Sequence, residues 1–251
     1  TKLKGGATGY ALIVPSDFTV SILIEEGLVA KLDKANIPNL ANLGEDFQHP
    51  PFDPELDHCV PYLLGTTAIG YLADQIEEPT SWSIFFEPDP ASPTYGRATM
   101  LDDAREAFAA ALIYLGYSVN TTDTAQLEQA RDILIKAKAG LAGFDADIYD
   151  NLVASGEYLV AHGWNGDFLL VQEDNENVAY TYPKEGALIY IDNICIPATA
   201  TPGEKLAAEQ FINFILRPDI GARISEYAYY GTPNKAAEAL LPEEFLNDPA
   251  I

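Results

Sequence analysis

Aromatic residues stand close to acidic residues in two segments of the chain. Trp164 lies in HGWNG, and Tyr190 precedes Asp192 by two positions in YIDNICIP. An ammonium group is bound well by an aromatic face, which contributes roughly 0.5–2 kcal/mol. A carboxylate adds a charge-assisted hydrogen bond to the same group. These segments therefore predict a pocket for an organic cation.

A second acidic pair, Asp103 and Glu106, lies in LDDAREAF at the start of a helix predicted over 102–115. The two side chains are three residues apart and share one helix face. They could bind a cation, or Asp103 could cap the helix with Glu106 at the third helical position, as in a capping-box variant. Spacing alone favours the cap.

The aromatic residues also have two interpretations. Tyr190 and Asp192 flank Ile191, so on a strand they project to the same side; an exposed sheet face would give the same pattern. Trp164 lies between Gly163 and Gly166, where a ligand or backbone could approach closely, but a buried core tryptophan is the alternative.

The overall charge restricts the partners. The chain has 38 acidic and 14 basic residues and a formal charge of −24. Nucleic acids and anionic membrane surfaces are bound through clusters of Lys and Arg, so neither is expected as a partner. No apolar run approaches the ~20 residues of a membrane-spanning helix. The acidity could equally serve solubility, so the local acids carry the functional prediction.

Other chemistries find little support. GGATG at 5–9 lacks the lysine of a phosphate loop, and no G-x-S-x-G elbow occurs. Asp103 and Glu106 lie on one helical turn and could not flank a glycosidic bond. We predict no enzyme activity, no metal and no cofactor. The histidines are interpreted as loop or strand-edge residues without metal-ligand spacing: His49, His58 and His162.

Strands and helices alternate over 97–183, which predicts βαβ units on a mostly parallel sheet. The predicted strands are 97–101, 157–161 and 177–181, and the predicted helices are 102–115, 123–138 and 165–172. Before this region we expect a buried strand at 10–14, a helix at 20–28 closed by Gly27, and two strands, 59–64 and 68–73, joined by a hinge at 65–67. After it we expect strands over 189–197 and two helices separated by Arg217-Pro218.

The two cysteines, Cys59 and Cys195, are 136 positions apart and form no CxxC motif, which excludes a local redox motif or a zinc knuckle. We expect two buried free thiols. A disulfide in an oxidising compartment is the alternative.

Nine segments, in order and at matching spacing, resemble the bacterial spermidine/putrescine-binding proteins of ABC importers, the periplasmic polyamine-binding family. They are VPSDF (14–18), VPYLLGTTAIGY (60–71), LDDAREAF (101–108), LGYSVNTTD (115–123), GWNG (163–166), YPKEGA (182–187), YIDNICIP (190–197), NFILRPDI (213–220) and YGTPN (230–234).

The resemblance implies a two-lobed α/β periplasmic-binding-protein fold with the ligand in a cleft between the lobes, here without the family's N-terminal strand–helix–strand unit and its C-terminal helix. It also places the two cysteine segments close together near the hinge. The implied lobes are 1–66 (first), 67–187 (second), 188–238 (first again) and 239–251 (start of the return to the second).

The resemblance assigns ligand contacts as well. The acids Asp103, Glu106 and Asp192 would pair with ammonium groups. Family members often carry tryptophan at the position of Tyr190, and Phe18 replaces the tyrosine of a Ser-x-Tyr pair that begins at Ser16. The remaining implied contacts are aromatic: Trp164 and Tyr230.

These matches imply a binding protein that captures a polyamine and delivers it to a membrane permease. Its location would be periplasmic or otherwise extracytoplasmic, with a lipid anchor on a missing N-terminus as one form. A protein for another organic cation, or a ligand-sensing domain, is the alternative.

Overall fold

The computed structural model describes residues 2–251. The chain forms two compact units. Unit 1 comprises the residues up to Leu64 together with Tyr190–Asp248, and unit 2 comprises Gly65–Ile189 with Pro249–Ile251. The lobe boundaries expected from the sequence stay a prediction.

The elements follow in chain order. The helices are α1 (Asp17–Glu25), α2 (Ser83–Phe86), α3 (Ala104–Tyr114), α4 (Thr124–Ala137), α5 (Tyr149–Ala154), α6 (Asn165–Val171), α7 (Pro202–Ile215), α8 (Pro218–Ala228), α9 (Lys235–Glu238) and α10 (Glu243–Leu246). The strands are β1 (Cys59–Leu72), β2 (Ala98–Met100), β3 (Leu141–Phe144), β4 (Val160–Trp164), β5 (Val178–Thr181) and β6 (Leu188–Cys195). Short 3₁₀ turns cover Lys34–Asn36, Pro38–Asn42 and Glu45–Phe47.

Unit 2 is built on a mixed sheet with the strand order β3-β2-β4-β1-β5. Strand β2 pairs in parallel with β3 and β4, whereas β1 pairs antiparallel with β4 and β5. The prediction of a mostly parallel sheet is therefore wrong around β1. Alternation of strands and helices gives the order of elements along the chain, but it does not reveal that β1 inserts between β4 and β5.

Two layers of side chains cover this sheet. On one side α3 and α4 pack over Trp82, Phe86 and Met100, and the predicted apolar face of α4 contributes Ala130 and Leu134. On the other side Tyr149 and Phe168 form the centre of a second cluster. Glycine is required at position 70, because a Cβ there would lie 2.1 Å from the Phe168 ring.

Strand β1 is continuous, which corrects the prediction of two strands joined by a hinge at 65–67. Thr66 and Thr67 are β-branched and fit an extended, pleated backbone. Thr67 pairs with Trp164 and Ile69 with His162 on β4. The passage from unit 1 to unit 2 between Leu64 and Gly65 thus occurs within one strand.

The predicted strand at 10–14 is also wrong. Ile13 and Ser16 form isolated antiparallel bridges to Cys195 and Asp192 on β6. Between them the amide of Asn193 donates to the carbonyl of Pro15, but proline has no N–H to return the second bond of that pair. The ladder is in register but interrupted, so no strand forms.

Unit 1 contains a disulfide between Cys59 at the start of β1 and Cys195 at the end of β6. The expectation of two free thiols is therefore wrong. Both residues are fully buried with Val20, Leu23 and Val29. The spacing of the two cysteines in the sequence does not predict this disulfide, because the disulfide depends on β6 lying beside β1.

Three helices of unit 1, α1, α7 and α8, agree with the sequence prediction. Helix α1 begins three residues before the predicted start and is followed by Gly27 in the left-handed region, with φ of 65°. Helices α7 and α8 are separated at Arg217-Pro218, as predicted, with proline at the first position of α8. Across residues 2–251, no helix combines the length and apolarity that crossing a membrane requires.

Candidate functional site

The candidate residues divide between the two units, and each set is described within its own unit. Unit 1 carries Ser16, Phe18, Tyr190, Asp192 and Tyr230, and unit 2 carries Asp103, Glu106 and Trp164.

Asp192 is the central acid of the unit 1 set. It lies on β6, is half-buried, and accepts a 2.8 Å hydrogen bond at Oδ1 from the Ser16 hydroxyl. Burial raises the pKa of its carboxyl, the Ser16 hydrogen bond lowers it, and the charge of Asp17 raises it further. No Lys, Arg or His of residues 2–251 forms an ion pair with it. A partly desolvated carboxylate without a cationic protein partner is well suited to a cationic ligand.

Unit 1 also contributes aromatic residues to the set, and one of them, Tyr190, lies on the same strand as Asp192. Tyr190, two residues before Asp192, is 7% exposed, and its ring contacts Tyr230 edge-to-face at a centroid distance of 6.5 Å. The predicted pairing of Tyr190 and Asp192 on one side of a strand fits the alternation of β6. Phe18 is half-buried at the start of α1, immediately after Ser16 and Asp17.

The backbone around Tyr230 is held by two hydrogen bonds and by close packing at Gly231. Helix α8 ends at Tyr229 in the left-handed region, with φ of 56°, a conformation that is uncommon for a bulky residue. The buried Ser225 hydroxyl donates to the Tyr230 carbonyl at 2.7 Å. The Leu64 amide donates to the Gly231 carbonyl at 3.0 Å, and a Cβ at Gly231 would lie 2.6 Å from the Leu64 side chain. The position of Tyr230 is therefore fixed relative to Leu64, the last residue of β1 that belongs to unit 1.

Tyr62 on β1 was not among the predicted site residues. Its side chain is half-buried, and burial raises the pKa of its phenol, with the charge of Asp192 raising it further. The sequence offered little evidence that Tyr62 belongs to the site, because Tyr62 lies in an apolar run, VPYLL, that is typical of a buried strand.

In unit 2, Asp103 caps helix α3. Its Oδ1 accepts hydrogen bonds from the amides of Arg105 at 2.8 Å and Glu106 at 3.1 Å. The capping interpretation is thus correct for Asp103, and its contact with a ligand stays a prediction. Both hydrogen bonds use Oδ1, which leaves the second carboxylate oxygen outside the cap.

Glu106 is at the third position of α3 and is only 4% exposed. A carboxylate in the first turn of a helix is stabilised by the helix dipole and the free amides. Such deep burial is unusual for glutamate in a protein interior. The segment that carries both acids is held to the sheet by the amide of Leu101, which lies 3.4 Å from Nδ1 of His162.

His162 is fully buried on β4 against the edge of Trp82, so its interpretation as a loop or strand-edge residue is wrong. Burial lowers its pKa to about 3, and the ring is neutral with Nδ1 accepting the Leu101 amide. It supports the start of α3 and does not supply charge.

Trp164 ends β4 and is half-buried rather than part of a closed core. Its ring meets Tyr149 edge-to-face at 6.1 Å, and its amide donates to the Tyr149 hydroxyl at 3.1 Å. That hydroxyl donates in turn to Asp167 at 2.6 Å. These contacts fix the backbone at Trp164, and the residue as a whole is half-buried.

Within residues 2–251, no group of three or more His, Cys, Asp or Glu side chains is arranged to hold a metal ion. The chemistry that these residues offer is recognition: carboxylates partly withdrawn from water, with aromatic rings beside them in unit 1.

A two-unit α/β protein with carboxylates and aromatic rings as its candidate residues fits a class of solute-binding proteins. Residues 1–251 match the family model described as bacterial extracellular solute-binding protein, and the chain belongs to that family. The family consists of transport proteins rather than enzymes.

Among curated proteins, the chain is similar to the spermidine/putrescine-binding periplasmic protein of Escherichia coli K12. The two are 38% identical over 250 residues, which cover 99% of this chain and 70% of the relative. The similarity predicted from the nine segments is therefore confirmed.

Solved structures agree. The substrate-binding protein of a spermidine/putrescine ABC transporter from Streptococcus pneumoniae, in complex with calcium and HEPES, superposes with a TM-score of 0.81 at 32% identity, covering 99% of this chain and 76% of that one. A lipoprotein of Treponema pallidum gives a TM-score of 0.83 at 34% identity, covering 94% and 75%. The α/β periplasmic-binding-protein fold predicted from the sequence is confirmed.

Proposed function

We propose that this protein captures a polyamine of the spermidine/putrescine class outside the cytoplasm for uptake by an ABC importer. The observation that carries the proposal is Asp192, a half-buried carboxylate with a raised pKa and no cationic partner among residues 2–251. The names of the similar proteins give the same ligand class.

The residues support a cation with methylene groups between its charges. Asp192 pairs with one ammonium, while Tyr190 and Tyr230 offer aromatic surface to the adjoining methylenes and charge. Asp103 and Glu106 pair with an ammonium in the same way. Trp164 supplies the aromatic face in unit 2, and Ser16 and Phe18 complete the set in unit 1.

The proposal includes delivery to a membrane permease, as expected for an importer component. An extracytoplasmic location agrees with the Cys59–Cys195 disulfide, because disulfides persist in oxidising compartments. A lipid anchor stays a prediction, tested by labelling the expressed protein with a radioactive fatty acid.

The test is a binding panel with putrescine, spermidine, cadaverine and betaine, and with butane-1,4-diol as the uncharged control of putrescine length. A di- or triamine should bind at about micromolar Kd, some 8 kcal/mol. At a hundredfold excess over Kd it should stabilise the fold by about 2.7 kcal/mol, while the diol has no effect. Absence of a melting-temperature shift with every polyamine at millimolar concentration would refute the proposal.

A further inference from the structure

The disulfide determines which residue of β1 lies opposite Asp192 on β6. Strand β6 pairs with β1, and the Cα atoms of Cys59 and Cys195 are 4.4 Å apart. The amide and carbonyl of Cys195 both form hydrogen bonds with Ile13, so neither group points towards β1. Cys59 and Cys195 therefore form a non-hydrogen-bonded pair, for which a Cα–Cα distance of about 4.5 Å is typical in antiparallel strands. Tyr62 is three residues after Cys59 on β1, and Asp192 is three residues before Cys195 on β6. An antiparallel pair with this register places them directly opposite each other.

The core assignment agrees with this register. Val60 and Ile194 belong to one buried cluster, and Tyr62 packs against it. Side chains two apart on a strand share a face, so Tyr62 is on the face of Val60 and Asp192 is on the face of Ile194. Directly opposed side chains have Cβ atoms about 4.5–5.5 Å apart. Burial raises the pKa of the Tyr62 phenol, and the charge of Asp192 raises it further, which agrees with this placement.

Tyr62 also lines a cavity of about 540 Å³ in unit 1. Its further walls come from one face of α8, with Ile220, Arg223, Ile224, Tyr227 and Ala228. Arg223 is exposed and forms no ion pair with any acid of residues 2–251. Asp192 does not line this cavity. Tyr62 therefore lies opposite an uncompensated carboxylate on the facing strand and lines a cavity together with an arginine that has no acidic partner among residues 2–251.

We propose that Tyr62 is a specificity-determining residue of the ligand site: its ring separates Asp192 from Arg223 and the cavity, so that the carboxylate stays available to the ammonium of the ligand. This inference rests on the proposed function. In a chain with 38 acidic residues, an internal guanidinium that reached Asp192 would compete with the ligand, because Arg binds carboxylates in a bidentate manner. The ring blocks that approach by its bulk, and its hydroxyl is not needed for this role.

The experiment is a double-mutant cycle, read by calorimetric titration with putrescine. Tyr62→Phe keeps the ring and should bind within about threefold of the parent. Tyr62→Ala opens the way for Arg223 and should bind at least about tenfold more weakly, equivalent to 1.4 kcal/mol. Arg223→Gln alone should bind within about twofold of the parent. The double variant Y62A/R223Q should regain affinity to within about threefold.

Several outcomes would overturn the inference. They are unchanged affinity in Y62A, a tenfold loss in Y62F, a tenfold gain in R223Q alone, or a double variant as weak as Y62A, which would make the ring a direct ligand contact. Should Y62A not fold, Tyr62→Leu with and without R223Q answers the same question, since leucine fills the core but is shorter. Failure of the parent protein to bind any polyamine would instead refute the proposed function.

Discussion

Replacing Asp192 by asparagine separates its charge from its shape. The asparagine oxygen can accept the Ser16 hydrogen bond that now measures 2.8 Å, so the local structure should survive. Its amide group would then point N–H donors at the ammonium of the ligand. An ammonium about 4 Å from a carboxylate gains roughly 4 kcal/mol at the effective dielectric constant of about 20 near a protein surface. Truncating a buried charge pair typically loses about 2–5 kcal/mol.

We therefore expect Asp192→Asn to weaken putrescine binding by about 30-fold to a few thousand-fold, measured by isothermal titration calorimetry. The free protein should melt at the same or a higher temperature at pH 7, because burial disfavours the ionised carboxyl. The exposed acid Glu244 in unit 1 provides the control: Glu244→Gln makes the same change in net charge and should leave the affinity unchanged. If Asp192→Asn binds within about threefold of the parent, or if Glu244→Gln weakens binding as strongly, the assignment of Asp192 is refuted.

Three further predictions follow from the site and the disulfide. Glu106→Gln should weaken polyamine binding at least about tenfold with little loss of stability. Asp103→Ala should weaken binding as well and should also lose about 1 kcal/mol of stability, because it removes the helix cap. If calorimetry and melting curves show lost stability with intact affinity, both acids have a structural role only. Because the pKa of Asp192 is raised, its contribution to stability is present at low pH and lost as the pH rises through that pKa. Polyamine affinity should fall as the pH drops through the same pKa, because the carboxyl group loses its charge. A pH series in which Asp192→Asn shows the same dependence as the parent would contradict this prediction. Replacing Cys59 and Cys195 together by serine should destabilise the fold by about 2–5 kcal/mol, since the bond closes a long loop; denaturant titrations with unchanged midpoints would contradict it.

The sequence allowed much of the architecture to be predicted, because local patterns determine it. The apolar face of α4 and the break at Arg217-Pro218 both depend on residues close in the chain. The direction of β1 within the sheet does not, since it depends on where β4 and β5 settle. The lost strand at 10–14 has a local cause, Pro15, whose effect appears only once the partner strand is known.

The candidate site shows the same division. The Asp103 cap and the position of Tyr190 beside Asp192 follow from helix and strand periodicity. Tyr62 was missed because its relation to Asp192 is a cross-strand pairing between segments 130 positions apart. The Cys59–Cys195 bond fixes that pairing and was itself open from the sequence.

The division of the chain into units has a consequence for biosynthesis. Unit 2 is formed almost wholly by one uninterrupted segment, Gly65–Ile189, whereas unit 1 needs residues from before and after it. Domains generally fold as they emerge, N-terminal parts first. Cys59 therefore cannot form its disulfide until the 136 residues up to Cys195 have followed it, and during this interval unit 2 can already be folding. Until the residues after Ile189 follow, the first half of unit 1 lacks its partner strand β6 and stays incomplete.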